Sequence, residues 1–180
     1  MACVPNVLSG IAMDCGSNGG IKKLYIAQTS DVKSIAVDAD GEITGLTMVT
    51  GSTSLFKSYS FRKNNASYTE TGTRNEQMGN YYSAVEIALQ FNKMDKEKRS
   101  EIVKLLASQV YVIVKDYNDV YHFIGKDSYC YANSTGQTGA ALADGNFYSL
   151  TISSELPEPI CTVLTSVMEK DGVVNATIVG

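Results

Sequence analysis

Alternation of apolar and polar residues is the clearest pattern in this chain. From Tyr81 to Phe91 one set of alternate residues is mostly apolar, and the residues between them are mostly small or polar. Successive side chains of a β-strand point to opposite faces, so a period of two sustained over this segment predicts a half-buried strand.

Two hairpins are predicted where similar runs meet at turn residues. Asp38–Gly41 joins residues 34–37 to residues 42–49, and Tyr117–Asp119 joins residues 110–115 to residues 120–125. Further strands are predicted at residues 22–27, 54–63 and 146–153. Eleven tyrosines and many Val, Ile and Thr residues favour the same class, because β-branched and aromatic side chains suit a pleated surface.

One segment has helical spacing instead. Asp95 can cap a helix, Glu97 complements its positive N-terminus, and Ile102, Leu105 and Leu106 form an apolar stripe. The pattern predicts a single packed α-helix at about residues 95–109. The fold class predicted is therefore mainly β (α+β): a β-sandwich or half-barrel of mostly antiparallel strands with one helix.

Three segments lack a strong apolar pattern. Residues 1–20 are rich in Gly, Ser and Asn and are predicted to be an N-terminal arm. Residues 64–80 are polar and rich in Thr, and they are predicted to be an extended excursion between two strands of a β-rich domain at residues 21–160. Residues 161–180 are predicted to form a C-terminal strand pair or arm.

The charge balance argues against a dedicated duplex-binding protein. The chain has 15 basic and 19 acidic residues, a net charge of −4, whereas such proteins carry a basic excess. Five of the basic and three of the acidic residues lie in 93–104, which leaves a net charge of −6 elsewhere. No apolar run reaches the ~18 residues that span a bilayer, so no membrane partner is predicted.

The sequence offers no constellation that predicts catalysis. His122 is the only histidine and lies in an alternating run that predicts a strand face. The four cysteines include no CxxC pair, and the Asp38–Gly41 segment lacks the acidic first and last ligands of a calcium loop. No G-x-S-x-G elbow and no phosphate-binding loop occurs. We therefore expect no enzyme activity, no catalytic residue, no cofactor and no metal.

Three stretches give the chain a family likeness. The first is residues 8–15 with residues 19–22 and Tyr25, the second is residues 59–63, and the third is residues 112–125 with the later segments 136–139 and 144–149. In these stretches it resembles the tail-tube-like and ring structural proteins of tailed bacteriophages, including crAss-like phages of gut bacteria. The likeness covers most of the chain and is weakest over residues 163–180.

The resemblance implies a virion protein of the phage tail that is assembled in the host bacterial cytoplasm. Such subunits form a homo-oligomeric ring, six-fold or a multiple, beside other tail or portal-associated proteins, and viral DNA passes through the lumen without sequence-specific binding. The arm and the excursion are the candidates for contacts between subunits. The subunit-interface residues expected from them and from the strand that follows are Leu8, Ile11, Tyr68, Thr69, Thr71, Thr73, Tyr81 and Tyr82.

An alternative function stays open. A capsid decoration or glycan-binding β-sandwich module would use tyrosines on an exposed face, since aromatic rings stack on sugars. The candidates for that role are Tyr81, Tyr82, Tyr129 and Tyr131.

Overall fold

Two β-sheets make up most of the described part of the chain. The computed structural model describes residues 16, 18–50, 55–141, 144–168 and 173–175. The strands are β1 (Ile21–Gln28), β2 (Val32–Val37), β3 (Ile43–Met48), β4 (Phe56–Tyr59), β5 (Ala66–Arg74), β6 (Tyr81–Asn92), β7 (Val110–Asp116), β8 (Tyr121–Ile124), β9 (Tyr131–Gln137), β10 (Phe147–Leu156), β11 (Cys161–Val163) and β12 (Val174–Asn175). The helices are α1 (Lys96–Ala107) and the single turn α2 (Thr165–Met168). The prediction of a mainly β fold with one long helix is confirmed.

The smaller sheet has four strands in the order β5-β6-β10-β9, and every neighbouring pair is antiparallel. The larger sheet has eight strands in the order β12-β4-β1-β7-β8-β11-β3-β2. Only two of its pairings among the described residues are parallel, β11 with β3 and β12 with β4. The sheets are thus mostly antiparallel, as the turn signals predict.

The main core lies between the two sheets. Alternate side chains of β6 and β10 in the smaller sheet point inwards and meet alternate side chains of β1 and β7 in the larger sheet. The two sheet faces that meet in this core are therefore both apolar. Its central members, all at most 2% exposed, are Leu24, Ile26, Val85, Ile87, Leu89, Val112, Val114, Leu150 and Ile152. This packing makes the molecule sandwich-like.

A second core fills the other face of the larger sheet. Phe56 on β4 and Phe123 on β8 have ring centroids 6.3 Å apart, although β1 and β7 lie between their strands. Three strand spacings would separate them by roughly 14 Å on a flat sheet. The sheet therefore curves like a half-barrel around Phe56, Phe123, Ile43, Ile113, Val163 and Val167.

The helix follows its sequence signals. The Asp95 side chain caps α1 by accepting a hydrogen bond from the Lys98 backbone N–H at 2.9 Å. Ile102 and Leu105 are each 5% exposed, whereas Leu106 is 46% exposed. Only part of the predicted apolar stripe is therefore buried. Among the described residues no helix is long and apolar enough to cross a membrane.

The expected excursion at residues 64–80 is corrected by the structure. Residues 66–74 form β5, which pairs with β6 in an unbroken register from Ala66 opposite Leu89 to Arg74 opposite Tyr81. The segment has few apolar residues because only Ala66 of β5 is buried. Its strand conformation comes from the neighbouring strand, which a local pattern does not reveal.

Two more segments differ from the prediction. Residues 131–137, in a part of the chain without a predicted strand, form β9, again through pairing with β10. In the C-terminal segment, Thr165–Met168 is a helical turn, and it separates β11 from β12 within the region predicted to be a strand pair or arm. Most of the predicted N-terminal arm, and residues 169–172 and 176–180, lie outside the described residues.

Candidate assembly surface

The surface of most interest is the face of the four-stranded sheet that points away from the main core, here called the outer face. Register places on it Ser67, Thr69, Thr71 and Thr73 of β5, Tyr82, Ala84, Glu86, Ala88, Gln90 and Asn92 of β6, Tyr131, Asn133, Thr135 and Gln137 of β9, and Phe147, Ser149, Thr151, Ser153 and Glu155 of β10. None of these residues is buried. The only charged members are Glu86 and Glu155, so the outer face carries two acidic groups and no cation.

A groove of about 480 Å³ crosses the outer face. Tyr129 and Tyr131 flank it with 42% and 53% exposure, and Glu86 and Glu155 also line it. The Tyr131 hydroxyl accepts a hydrogen bond from the side chain of Gln109 at 3.3 Å, which ties the rim to the end of α1. The groove therefore combines aromatic rings with hydrogen-bond acceptors.

The β5–β6 hairpin projects past the rest of its sheet. Pairing between β6 and β10 ends where Ser83 meets Leu156, so the hairpin beyond Gly72 has only two strands. Its tip is closed by a backbone hydrogen bond from Asn75 N–H to Asn80 O at 2.8 Å. Met78 is 80% exposed. Two-stranded ribbons are marginally stable in water, so a neighbouring molecule would stabilise this end.

The free edge of β5 presents unpaired backbone groups. Gln90 N–H donates to Asn65 O and Asn75 N–H donates to Asn80 O, which places the odd-numbered residues of this strand in hydrogen bonds to β6. The even-numbered residues from Tyr68 to Arg74 direct their N–H and C=O groups away from β6. Within the described part of the chain no backbone hydrogen bond reaches those groups.

The Glu70 side chain of β5 makes hydrogen bonds that do not involve the backbone edge of the strand. The Ile160 N–H donates to the Glu70 carboxylate at 3.0 Å, and the Ser83 hydroxyl donates to the same oxygen at 2.6 Å. Glu70 thus holds the segment after β10 beneath the hairpin through its side chain. The backbone edge of β5 is not used by that contact.

The other sheet edges carry features that discourage strand addition. β2 has register irregularities between Val32 and Ser34 and between Ala36 and Val37, and it carries Lys33. β9 lies beside α1, and Cys130 just before it pairs with Val110 of the larger sheet. β12 has two residues. Among the edge strands of the described chain, β5 alone lacks these protections, because its nine residues run in continuous register with no Pro, no Lys and no bulge.

The structure brings six of the eight predicted interface residues onto one hairpin. Thr69, Thr71, Thr73 and Tyr82 share the outer face, and Tyr81 points to the opposite side with 59% exposure. The other two, Leu8 and Ile11, lie outside the described residues.

Tyr68 differs from the other hairpin residues because it points inwards. It is half-buried, and its ring centroid lies 5.4 Å from that of His122. Burial, with the Asp116 and Glu70 carboxylates nearby, raises the pKa of Tyr68. This residue therefore joins the hairpin to β8 and is less suited to a contact between subunits.

Sequence reasoning missed several parts of this surface. Glu86 and the open β5 edge carry no signal in the sequence, and Glu155 has no recognisable partner there. Tyrosine and threonine favour strands, and Tyr68, Thr69, Thr71 and Thr73 in β5 are the one signal that could have identified this strand. Which edge stays open depends on sheet order, and local sequence does not encode that order.

In the described part of the chain, the side chains of His122 and Cys130 pack against their neighbours. His122 Nε2 lies 3.4 Å from an Asp116 carboxylate oxygen and its ring packs beside Tyr68. Burial raises the pKa of the Cys130 thiol to about 12, which keeps it protonated. Among the described residues no cluster of three His, Cys, Asp or Glu side chains could hold a metal ion.

Comparisons of the chain with protein families, with curated proteins and with solved structures found no match. Because no known protein indicates a function, the function has to be argued from three features of the surface. They are the open β5 edge, the projecting hairpin and the outer face without cations.

Proposed function

We propose that this protein is a structural subunit of a phage virion, forming a ring or tube segment of the tail through which the genome passes. The observation that carries the proposal is the open edge of β5. An edge with unpaired N–H and C=O groups and without Pro, Lys or a bulge is a template for another strand. The sequence resemblance to phage tail proteins supplies the biological setting.

Assembly through β5 accounts for the projecting hairpin as well. A strand from another copy would widen the sheet beside the hairpin and cover part of its exposed tip. A head-to-tail contact at this edge closes into a ring when the rotation between copies permits it, and a two-fold contact builds a ring together with a second surface. A homo-oligomeric ring, six-fold or a multiple, with other tail or portal-associated proteins as neighbours, fits this behaviour.

The outer face suits the wall of a DNA conduit. Each cation that touches DNA releases counterions and adds affinity, so a wall that lets DNA slide should have few cations. The outer face has Glu86 and Glu155 and no Lys or Arg. We assign this face to the lumen, where DNA would pass without sequence-specific binding.

The test of assembly uses Gly72. Its N–H points away from β6, so Gly72→Pro removes an edge donor while leaving the hairpin hydrogen bonds in place. By light scattering coupled to size-exclusion chromatography and by electron microscopy, we expect the wild type to form oligomers and Gly72→Pro to form smaller species. The matched control is Gly72→Ala, which keeps the N–H and adds a Cβ with nothing within 4 Å.

Two results would contradict the proposal. One is a wild-type protein that stays monomeric at all concentrations and forms no particle under the microscope. The other is a Gly72→Pro variant with the same mass as Gly72→Ala, provided that both have the circular dichroism spectrum of the wild type.

The groove on the outer face favours one second candidate, a glycan-binding module. Tyr129 and Tyr131 could stack on a sugar ring while Glu86 and Glu155 accept hydrogen bonds from its hydroxyls. Tyr81 points to the other side of the hairpin, so the informative variant is Tyr131→Ala. Glycan-array binding by the wild type that is lost in Tyr131→Ala, with Tyr81→Ala unchanged, would favour this function over the ring.

A further inference from the structure

We propose that two copies of the chain join through β5, antiparallel and in register, with Gly72 of one copy opposite Gly72 of the other on a two-fold axis. This inference rests on the proposed function and names the contact that the open edge makes. It follows from the direction of the β5 backbone groups and from the positions of its two charges.

Backbone direction limits the registers that are possible. The even-numbered residues of β5 direct their hydrogen-bonding groups outwards, so two such edges pair only when even residues lie opposite even residues. The two-fold axis can then pass through any one residue of β5, but it cannot pass between two residues. Charge decides among these choices, because Glu70 and Arg74 are the only charged residues of β5.

An axis at Gly72 places Glu70 of each copy opposite Arg74 of the other. An axis at Glu70 or at Arg74 would instead place like charges directly opposite each other, which destabilises a sheet. An axis at Thr71 would place both charges opposite neutral residues, and an axis at Thr73 would place Glu70 opposite a residue beyond the end of β5. The Gly72 register is the one that satisfies both charges in both copies.

The side chains are already placed for this contact. One Glu70 oxygen accepts hydrogen bonds from the Ser83 hydroxyl and the Ile160 N–H, and in the described part of the chain its second oxygen has no hydrogen bond. Arg74 is exposed. Both lie on the same side of the sheet, because both are even-numbered residues of one strand.

The contact would produce a continuous sheet of two four-stranded halves. The pairs at Gly72 and at the two Glu70–Arg74 positions would each exchange two backbone hydrogen bonds. The outer faces of the two copies would become one surface. Because the contact is isologous it closes after two copies, so a larger ring would be built from such pairs through a second surface.

Disulfide trapping tests the register. Opposite residues of a hydrogen-bonded antiparallel pair have Cα atoms about 5.5 Å apart, within the range that a disulfide spans. We expect Gly72→Cys to form a covalent dimer on mild oxidation. Thr71→Cys should form far less covalent dimer, because in this register Thr71 of one copy lies opposite Thr73 of the other. Wild type under the same oxidation gives the background from the four native cysteines.

A charge variant tests the pairing independently of cysteine chemistry. Arg74→Glu would place a carboxylate opposite Glu70, so we expect the dimer dissociation constant to rise about tenfold by analytical ultracentrifugation. Arg74→Lys is the matched control and should change the constant little. Both variants should keep the wild-type melting temperature at concentrations too low for the dimer to form, because Arg74 is exposed and only dimerisation would add stability.

The outcomes separate this inference from the proposed function. Suppose that the Gly72→Cys variant forms oligomers without a disulfide between its copies, or that Thr71→Cys gives more covalent dimer than Gly72→Cys does. Either result would overturn the Gly72 register and leave the assembly proposal standing. A wild type without any oligomer would overturn both.

Discussion

At the scale of single residues, Asp116 shows how a turn carboxylate can control stability. Its side chain accepts hydrogen bonds from the backbone N–H groups of Asn118 at 2.8 Å and Val120 at 2.9 Å, and it contacts His122. Burial alone would raise the pKa of Asp116, but these hydrogen bonds together outweigh it and lower the pKa below the usual 3.8. The charged form is therefore the one that stabilises the turn.

This shift predicts a loss of stability in acid. Because the folded-state pKa lies below the unfolded value, the contribution is complete above pH 3.8 and is lost as the pH falls through the folded pKa. We expect the free energy of unfolding, measured by urea denaturation from about pH 7 down to about pH 2.5, to fall in acid for the wild type. Asp116→Asn should be less stable near neutral pH and should show less of that acid loss.

Asp38 offers the matched control. It holds the β2–β3 turn through the same kind of side-chain bonds, to Asp40 N–H at 3.0 Å and Glu42 N–H at 2.8 Å, but at an exposed position. Asp38→Asn should lower the free energy of unfolding near neutral pH less than Asp116→Asn does. If the two substitutions lowered the free energy of unfolding equally, the burial of Asp116 would add nothing to the stability of its turn.

At the scale of elements, the sequence predicted those segments correctly that have a local signal, such as alternating apolar residues or a helix-capping residue. β6 buries Ser83, Val85, Ile87 and Leu89 at alternate positions, and α1 begins just after its capping residue Asp95. β5 and β9 have no such pattern, because their inner faces bury only Ala66 and Ala132 and half-bury Tyr68. Their conformation is set by pairing with β6 and β10, and a local pattern does not reveal that pairing.

The candidate surface, too, could be predicted from the sequence only in part. The threonines and tyrosines of the hairpin could be named from the sequence, since an exposed polar run beside a strong strand stands out. That Tyr68 points to the core while Thr69 points outwards could not be assigned without the register of β5. The open edge could not be found either, because it is a property of the sheet order.

A pair of adjacent leucines on α1 gives a stability test at this scale. Leu105 is 5% exposed and packs in the main core, and Leu106 is 46% exposed. Leu105→Ala should lower the free energy of unfolding by about 2–5 kcal/mol through lost burial and a cavity. Leu106→Ala should change it by less than about 1 kcal/mol, and urea denaturation would compare the two. A larger loss at Leu106 than at Leu105 would contradict the difference in burial between these two leucines.

At the scale of the whole molecule, charge is distributed unevenly. The net charge is −4, yet residues 93–104, which include most of α1, carry an excess of basic side chains. The outer face has only its two glutamates. A molecule that assembles around DNA with α1 outside and the outer face inside would therefore present a weakly acidic wall to the duplex.

That arrangement predicts how charge reversal changes DNA binding by the assembled protein. Glu86→Lys with Glu155→Lys would place two cations per subunit on the outer face, and each phosphate neutralised adds about 0.9 to the slope of log K against log salt. We expect the wild-type oligomer to retain little duplex DNA in a filter assay at about 50 mM salt, where phosphate contacts are strong. The double variant should retain much more, with a steep salt dependence. The matched control, Asp40→Lys with Glu158→Lys, makes the same charge change at exposed positions away from the outer face. If the control binds DNA as well as the outer-face variant does, net charge alone governs binding and the outer face does not line the lumen.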